Sequence, residues 1–132
     1  MAKVYIPQEP MRFDRDRKEW YPIIDLTPAR VYGELEVLLS HNATALTIAP
    51  MIFTLRKKLK DFCDDDFIVA VGNPTVLMWT GIIAAEMNRG RVQTLVWDGA
   101  SKNYVSVKGA SRDGAFRKER TDEHDIHRKA GA

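Results

Sequence analysis

Apolar and polar positions divide the chain into short elements of alternating type. Lys3 to Pro7 alternates and carries Val4, Tyr5 and Ile6, which predicts an opening strand ended by Pro7 and Pro10. Gln8 to Pro28 has no clean period. Arg12, Asp14, Arg15, Asp16, Arg17, Lys18 and Glu19 run into Trp20, Tyr21 and Pro22, so a long loop is expected there, with a protruding hairpin as one form it can take. Loops of this length are uncommon in a compact domain and often carry function. Val31 to Leu39 predicts a second strand, with Val31, Leu35, Val37 and Leu39 on one face and Tyr32, Glu34, Glu36 and Leu38 on the other.

Further along, Ile48, Met51, Ile52, Leu55, Leu59 and Phe62 recur at three- and four-residue spacing, with Arg56, Lys57, Lys58 and Lys60 at the remaining angles. That is an amphipathic helix with a basic outer face. Asp64, Asp65 and Asp66 end it, and the apolar run Phe67 to Val71 fits a central strand covered on both faces. Asn73 is a plausible N-cap with Pro74 at the first helical position of a second helix that runs to about Met87, where Asn88-Arg89-Gly90 stops it. This helix has little polar surface, so it is either deeply buried or shared with a partner, and Met78 and Trp79 are expected to be largely buried. Arg91 to Trp97 and Tyr104 to Lys108 predict two more strands joined by the turn-rich Asp98 to Asn103.

Strand, helix, strand, helix, strand is the alternation that produces parallel strands with crossovers. The expected fold is α/β: a small Rossmann-like, mostly parallel sheet of four to five strands with two main helices and a C-terminal β-hairpin. One domain over residues 1–109, with its long loop at 8–28, is expected to precede a charged flexible tail over 110–132. In that tail only Phe116 and Ile126 are sizeable apolar side chains, so it is expected to be dispensable for folding. The 19 uncharged residues from Phe67 to Ala85 resemble a membrane span only superficially, because Gly72-Asn73-Pro74 interrupts them. No membrane association is expected. The N-terminus lacks the pattern of a secretory signal, so the protein is expected to stay inside the cell where it is made.

The 132 residues suffice for one core, and 45% hydrophobic with 29% charged residues is an ordinary globular balance. The net charge of +2, from 20 basic and 18 acidic residues, gives no strong field of the kind dedicated nucleic-acid binders show. A single cysteine, Cys63, excludes an internal disulfide and a cysteine zinc site, which suits a reducing cytoplasm.

Several constellations bear on chemistry. Gly72, Asn73, Thr75 and Val76 lie where open α/β sheets bind anions, at a strand end that opens a helix, and so form an anion-binding candidate. A capped helix start needs the same residues, and Pro74 removes one donor. Asp64 to Asp66 offer carboxylates for a hard cation, but consecutive residues diverge, and a solvated turn is the simpler reading. His124 and His127 share a helical face yet have no apolar face to hold them, so no metal or other cofactor is expected. Nothing places Cys63 beside His41 as nucleophile and base, and no catalytic set emerges. Arg12, Arg15 and Arg17 interleaved with Phe13, Trp20 and Tyr21 suit a protein interface, or single-stranded nucleic acid if Asp14, Asp16 and Glu19 did not cancel the charge. Lys57, Lys58, Arg89 and Arg91 are the remaining nucleic-acid candidates.

Gly33-Glu34-Leu35, Asp65-Asp66 before the strand ending in Gly72, the small apolar helix, and Gly90-Arg91 leading into Leu95-Val96-Trp97 and Tyr104 resemble a family of small uncharacterised bacteriophage α/β proteins. The resemblance covers roughly Val31 to Lys108. It implies a viral origin, an accessory role and a place in the cytoplasm of the infected host cell. Together these readings give a non-enzymatic phage accessory protein that binds a macromolecule, a protein partner or a second copy of itself before nucleic acid. The alternatives are nucleotide or phosphate binding at residues 72–76 and a nucleic-acid-binding component.

Overall fold

A computed structural model describes residues 2–44 and 46–112. The expectations for the tail, including His124 and His127, lie outside the described residues.

Five strands form one sheet in the order β4-β1-β5-β6-β7. β1 (Lys3–Gln8) pairs in parallel with β4 (Glu34–Leu39) on one side and with β5 (Phe67–Val69) on the other. β5 pairs in parallel with β6 (Arg91–Asp98), and β7 (Asn103–Ala110) closes the C-terminal hairpin antiparallel to β6. Two α-helices make the crossovers, α1 (Ile48–Lys58) between β4 and β5 and α2 (Pro74–Met87) between β5 and β6. The fold is therefore the mixed α/β sheet that the alternation of patterns predicts, and no helix among the described residues is long and apolar enough to cross a membrane.

Alternation along β1 sends its side chains to two different cores. Tyr5 joins Leu38 and Ile68 beneath Met51, Leu55 and Leu59 from the α1 region and Val76, Ile83 and Ala84 of α2. Val4 and Ile6 face the other way, with Val69, Leu95 and Tyr104, and are covered by Leu26 and Ala29. Those last two belong to a short 3₁₀ segment (Thr27–Tyr32) and the residue before it. The segment is started by Asp25, whose carboxylate accepts from the Thr27 amide at 2.9 Å, and by Pro28. One face thus carries two α-helices, and the other carries the chain between β1 and β4.

Three regions refine or correct the sequence expectation. Residues 8–28 take the second of the two forms expected, a hairpin rather than a plain loop: Met11–Asp14 (β2) and Glu19–Pro22 (β3) pair antiparallel, followed by the start of the 3₁₀ segment. The second strand of the sheet begins at Glu34 rather than Val31, because Val31 and Tyr32 end that 3₁₀ segment, leaving Val31 exposed and Tyr32 donating its hydroxyl to the Tyr104 carbonyl at 2.7 Å. Met78 is 56% exposed and Trp79 only partly buried. α2 turns Val76, Thr80, Ile83 and Ala84 to the core, whereas its Met78–Ile82 side faces β6 and β7, where no third helix packs among the described residues.

Candidate functional site

Residues that carry candidate chemistry gather at the carboxyl edge of the sheet, where the hairpin sits. There the strand order reverses between β1 and β5, the position at which open α/β sheets form a crevice. The hairpin grows directly from the end of β1 and is closed at its base by the Ile23 amide donating to the Pro10 carbonyl at 3.2 Å. At its tip the Asp14 carboxylate accepts from the amides of Asp16 (2.9 Å) and Arg17 (3.3 Å), and Lys18 adopts a left-handed φ of 55°. Short polar side chains that bond their own backbone nucleate such turns.

Phe13 lies opposite Trp20 across the hairpin, with their rings edge to face and 5.4 Å apart. Trp20 in turn packs on His41, from the loop after β4, at 4.7 Å. Beneath this stack the Nε2 atom of His41 is buried and has no hydrogen-bond partner among the described residues. The loop is held to β1 by the Gln8 carboxamide, which donates to the carbonyls of Ser40 (2.8 Å) and Ala43 (2.9 Å). The next rung pairs Arg12 with Tyr21, and by strand alternation this pair presents the face turned away from His41. Arg15 and Arg17 project from the tip. All six residues singled out in this segment therefore share one small element, with Trp20 46% exposed and Phe13, Tyr21, Ile23 and Ile24 also open to solvent. Two clefts flank its base, one of about 580 Å³ bounded by the 3₁₀ segment, β1 and β4, and one of about 350 Å³ that reaches Gly72 and Asn73. Ile23, Ile24 and His41 are parts of this surface that sequence reasoning did not place in it. The apolar pair after Pro22 was a visible signal, but nothing local announced His41, which arrives from another strand.

The Gly72 turn reads as a helix start built against β1. Gly72 has φ +100°, and a Cβ there would lie 2.5 Å from the Gln8 carbonyl oxygen, so only glycine fits. The Asn73 carboxamide accepts from the Thr75 amide at 2.8 Å, an N-cap, and Val76 is fully buried in the core. Of the four residues grouped as an anion candidate, Asn73 and Gly72 border the smaller cleft, whereas the Val76 side chain points into the protein.

The remaining candidates do not converge. Lys58 donates to the Leu38 carbonyl at 2.9 Å and lies 3.4 Å from the Val37 carbonyl at the end of β4. Arg91 is paired with Asp64 at 3.0 Å, and Asn88 bonds the same carboxylate oxygen. Arg89 occupies a left-handed turn position, φ 57°, after α2, and Lys57 stands on the last turn of α1. The aspartate run is not a solvated turn throughout. Asp66 is buried, accepting from the Lys3 amide (2.9 Å) and the Cys63 amide (3.1 Å), so it ties the start of β1 to the start of β5. Among the described residues no group of three or more His, Cys, Asp or Glu is placed to hold a metal ion. Cys63, its thiol pushed up by partial burial, lies at the amino edge before β5, and His41 at the carboxyl edge after β4, so the two cannot act together.

The match to the family of phage Pam3 gp32-like proteins spans residues 2–110. The chain belongs to this family. No curated protein and no solved structure matches the chain. The family match begins before β1, so it takes in the aromatic hairpin, which the resemblance seen in the sequence had left outside at Val31. Residues after 110 remain outside it.

Proposed function

We propose that this phage protein acts by binding another protein through the β2–β3 hairpin and the clefts at its base. The observation that carries the reading is the half-exposed Trp20, braced between Phe13 and His41, with Tyr21 and Arg12 on the adjoining rung. Tryptophan, tyrosine and arginine dominate the energetics of protein interfaces, because they bring a large contact area together with a polar handle. Ring packing already fixes Phe13 and Trp20, so little side-chain entropy remains to be lost when a partner covers them. Nucleic acid is the weaker reading of the same hairpin, since Asp14, Asp16 and Glu19 stand among its arginines. Elsewhere, Lys58 and Arg91 are already engaged within the protein.

The test is a titration of the purified full chain against the phage protein it retains from infected cells. Trp20→Ser and Tyr21→Ser are expected to weaken binding by roughly 10- to 100-fold each while leaving the thermal transition in place. Unchanged binding by both variants would move the site elsewhere. Retention on single-stranded DNA that falls steeply with salt and with Arg12→Gln would favour nucleic acid instead.

A further inference from the structure

β7 is the last strand of the sheet, and its outward backbone is presented in an orderly way. The Ser111 amide donates to the Gly90 carbonyl at 2.7 Å. Carried along the β6–β7 register, this bond turns the amides and carbonyls of Val105, Val107 and Gly109 toward β6 and those of Tyr104, Ser106 and Lys108 outward. Of these outward groups the Tyr104 carbonyl receives the Tyr32 hydroxyl. Those of Ser106 and Lys108 face no strand among the described residues.

On the helix-bearing face of the same strand, Val105 and Val107 are exposed, with Val107 at 51%. Val96 of β6 adjoins them as an exposed apolar residue, and Met78 and Ile82 of α2 line, with Val107, a groove of about 760 Å³. The valines are not scattered: they stand two apart on one face, on either side of Ser106.

We infer that β7 pairs antiparallel with β7 of a second copy of this chain about a two-fold axis at Ser106, making one continuous ten-stranded sheet. This assignment rests on the complementarity of the strand with itself. In that register Ser106 lies opposite Ser106 of the second copy and exchanges both backbone hydrogen bonds with it. Val105 lies opposite Val107 of the second copy, and Val107 opposite its Val105, as close non-hydrogen-bonded pairs. Lys108 meets Tyr104 of the second copy, so the only charged side chain on β7 does not face its own image. An axis at Lys108 would instead set two ammonium groups side by side. The other edge of the sheet fails the same test. There Glu34 and Glu36 lie on a single face, so an axis between them or on either would gather like charges, and the Lys58 ammonium stands 3.4 Å from the outward Val37 carbonyl. A stable interface needs on the order of 1,200–2,000 Å² in total, so the strand pair must be joined by the Met78–Ile82 flanks. The inference is independent of the hairpin surface, which lies at the carboxyl edge of the sheet.

The test is sedimentation equilibrium of the full chain from about 1 to about 200 μM, with far-UV circular dichroism to establish that each variant folds. The wild type is expected to shift from one to two chains. Ser106→Pro removes an amide that points outward and leaves the ladder to β6 intact, and Val107→Lys places a charge at each valine pair. Each is expected to raise the dissociation constant by tenfold or more. Mixing Val107→Lys with Val105→Glu should restore a mixed dimer, because the register sets these two positions opposite one another. A wild type that stays monomeric up to about 200 μM overturns the proposal, whichever other partner the edge accepts. So does a dimer that Val107→Lys weakens and Ser106→Pro does not, since contact would then run through the apolar face without strand pairing.

Discussion

The two edge strands of this sheet face the same physical problem and resolve it differently. β4 has its helix-facing side sealed by α1, with Leu38 fully buried, and its exposed rung carries Glu36 in an ion pair with Lys3 at 3.2 Å. Lys58 reaches from α1 to the end of β4, where its ammonium lies 3.4 Å from the outward Val37 carbonyl, a group that would otherwise invite another strand. Charges and a covering side chain are how proteins ordinarily protect an open edge. Among the described residues β7 has none of these on its helix-facing side. Val105 and Val107 lie open beside the exposed flank of α2, because among the described residues α1 packs over β4 and α2 over β1 and β6, one strand short of β7. An edge left apolar at the place where packing stops differs physically from one that is charged and covered, and this difference is what points to β7 as a surface of association.

The contrast breaks first if the two edges prove equally tolerant. Leu38→Ala in β4 should cost about 2–5 kcal/mol in urea denaturation, the sum of lost transfer energy and a cavity under α1. Val107→Ala, on the same face of β7, should stay within about 0.5 kcal/mol when measured at low protein concentration. Comparable losses at the two positions would mean that something covers β7.

One strand inward from β4, Tyr5 sharpens the picture through pH. Burial, followed by the nearby Asp66 and Glu36 carboxylates, pushes its pKa up to about 12 from an ordinary value of 10.0. Above pH 10 the unfolded chain therefore releases this proton more readily than the folded one. Stability is lost as pH climbs from about 10 through about 12, by at most about 2–3 kcal/mol. Tyr5→Phe should flatten this part of an alkaline denaturation profile. A profile unchanged by the substitution would show the sealed side to be wetter than its packing implies.

The smallest effect concerns the edge guard itself. Lys58→Met should lower stability by less than about 1 kcal/mol, since one exposed hydrogen bond is lost. Its clearer consequence should be light scattering on mild heating, as the outward Val37 carbonyl of β4 becomes available for pairing. If the variant stays clear, the glutamates alone protect that edge.

Most of the fold was legible in the sequence because its signals are local. The Asn73–Pro74 start of α2, its stop at Asn88-Arg89-Gly90 and the apolar run Phe67 to Val71, of which Phe67–Val69 pair as the central strand, follow from capping, backbone preference and period, which act within a few residues. The six hairpin residues were also recognisable from the mixture of arginine and aromatic side chains, and a hairpin was one of the forms expected for them, although the register of β2 and β3 was not.

Composition and period thus determined the α/β alternation, the two helices and the C-terminal hairpin. Tertiary structure decided which apolar positions count as core. Met78 and Ile83 sit on one helix with equal claims to burial, yet Ile83 is sealed and Met78 is open, because burial depends on whether a second element lies opposite. Tertiary structure likewise set His41 under Trp20 and gave Asp66 to the amides of Lys3 and Cys63, joining positions up to 63 residues apart that no local pattern connects. Sequence period fixes which side chains share a face of an element, and only the packing of elements fixes what that face meets.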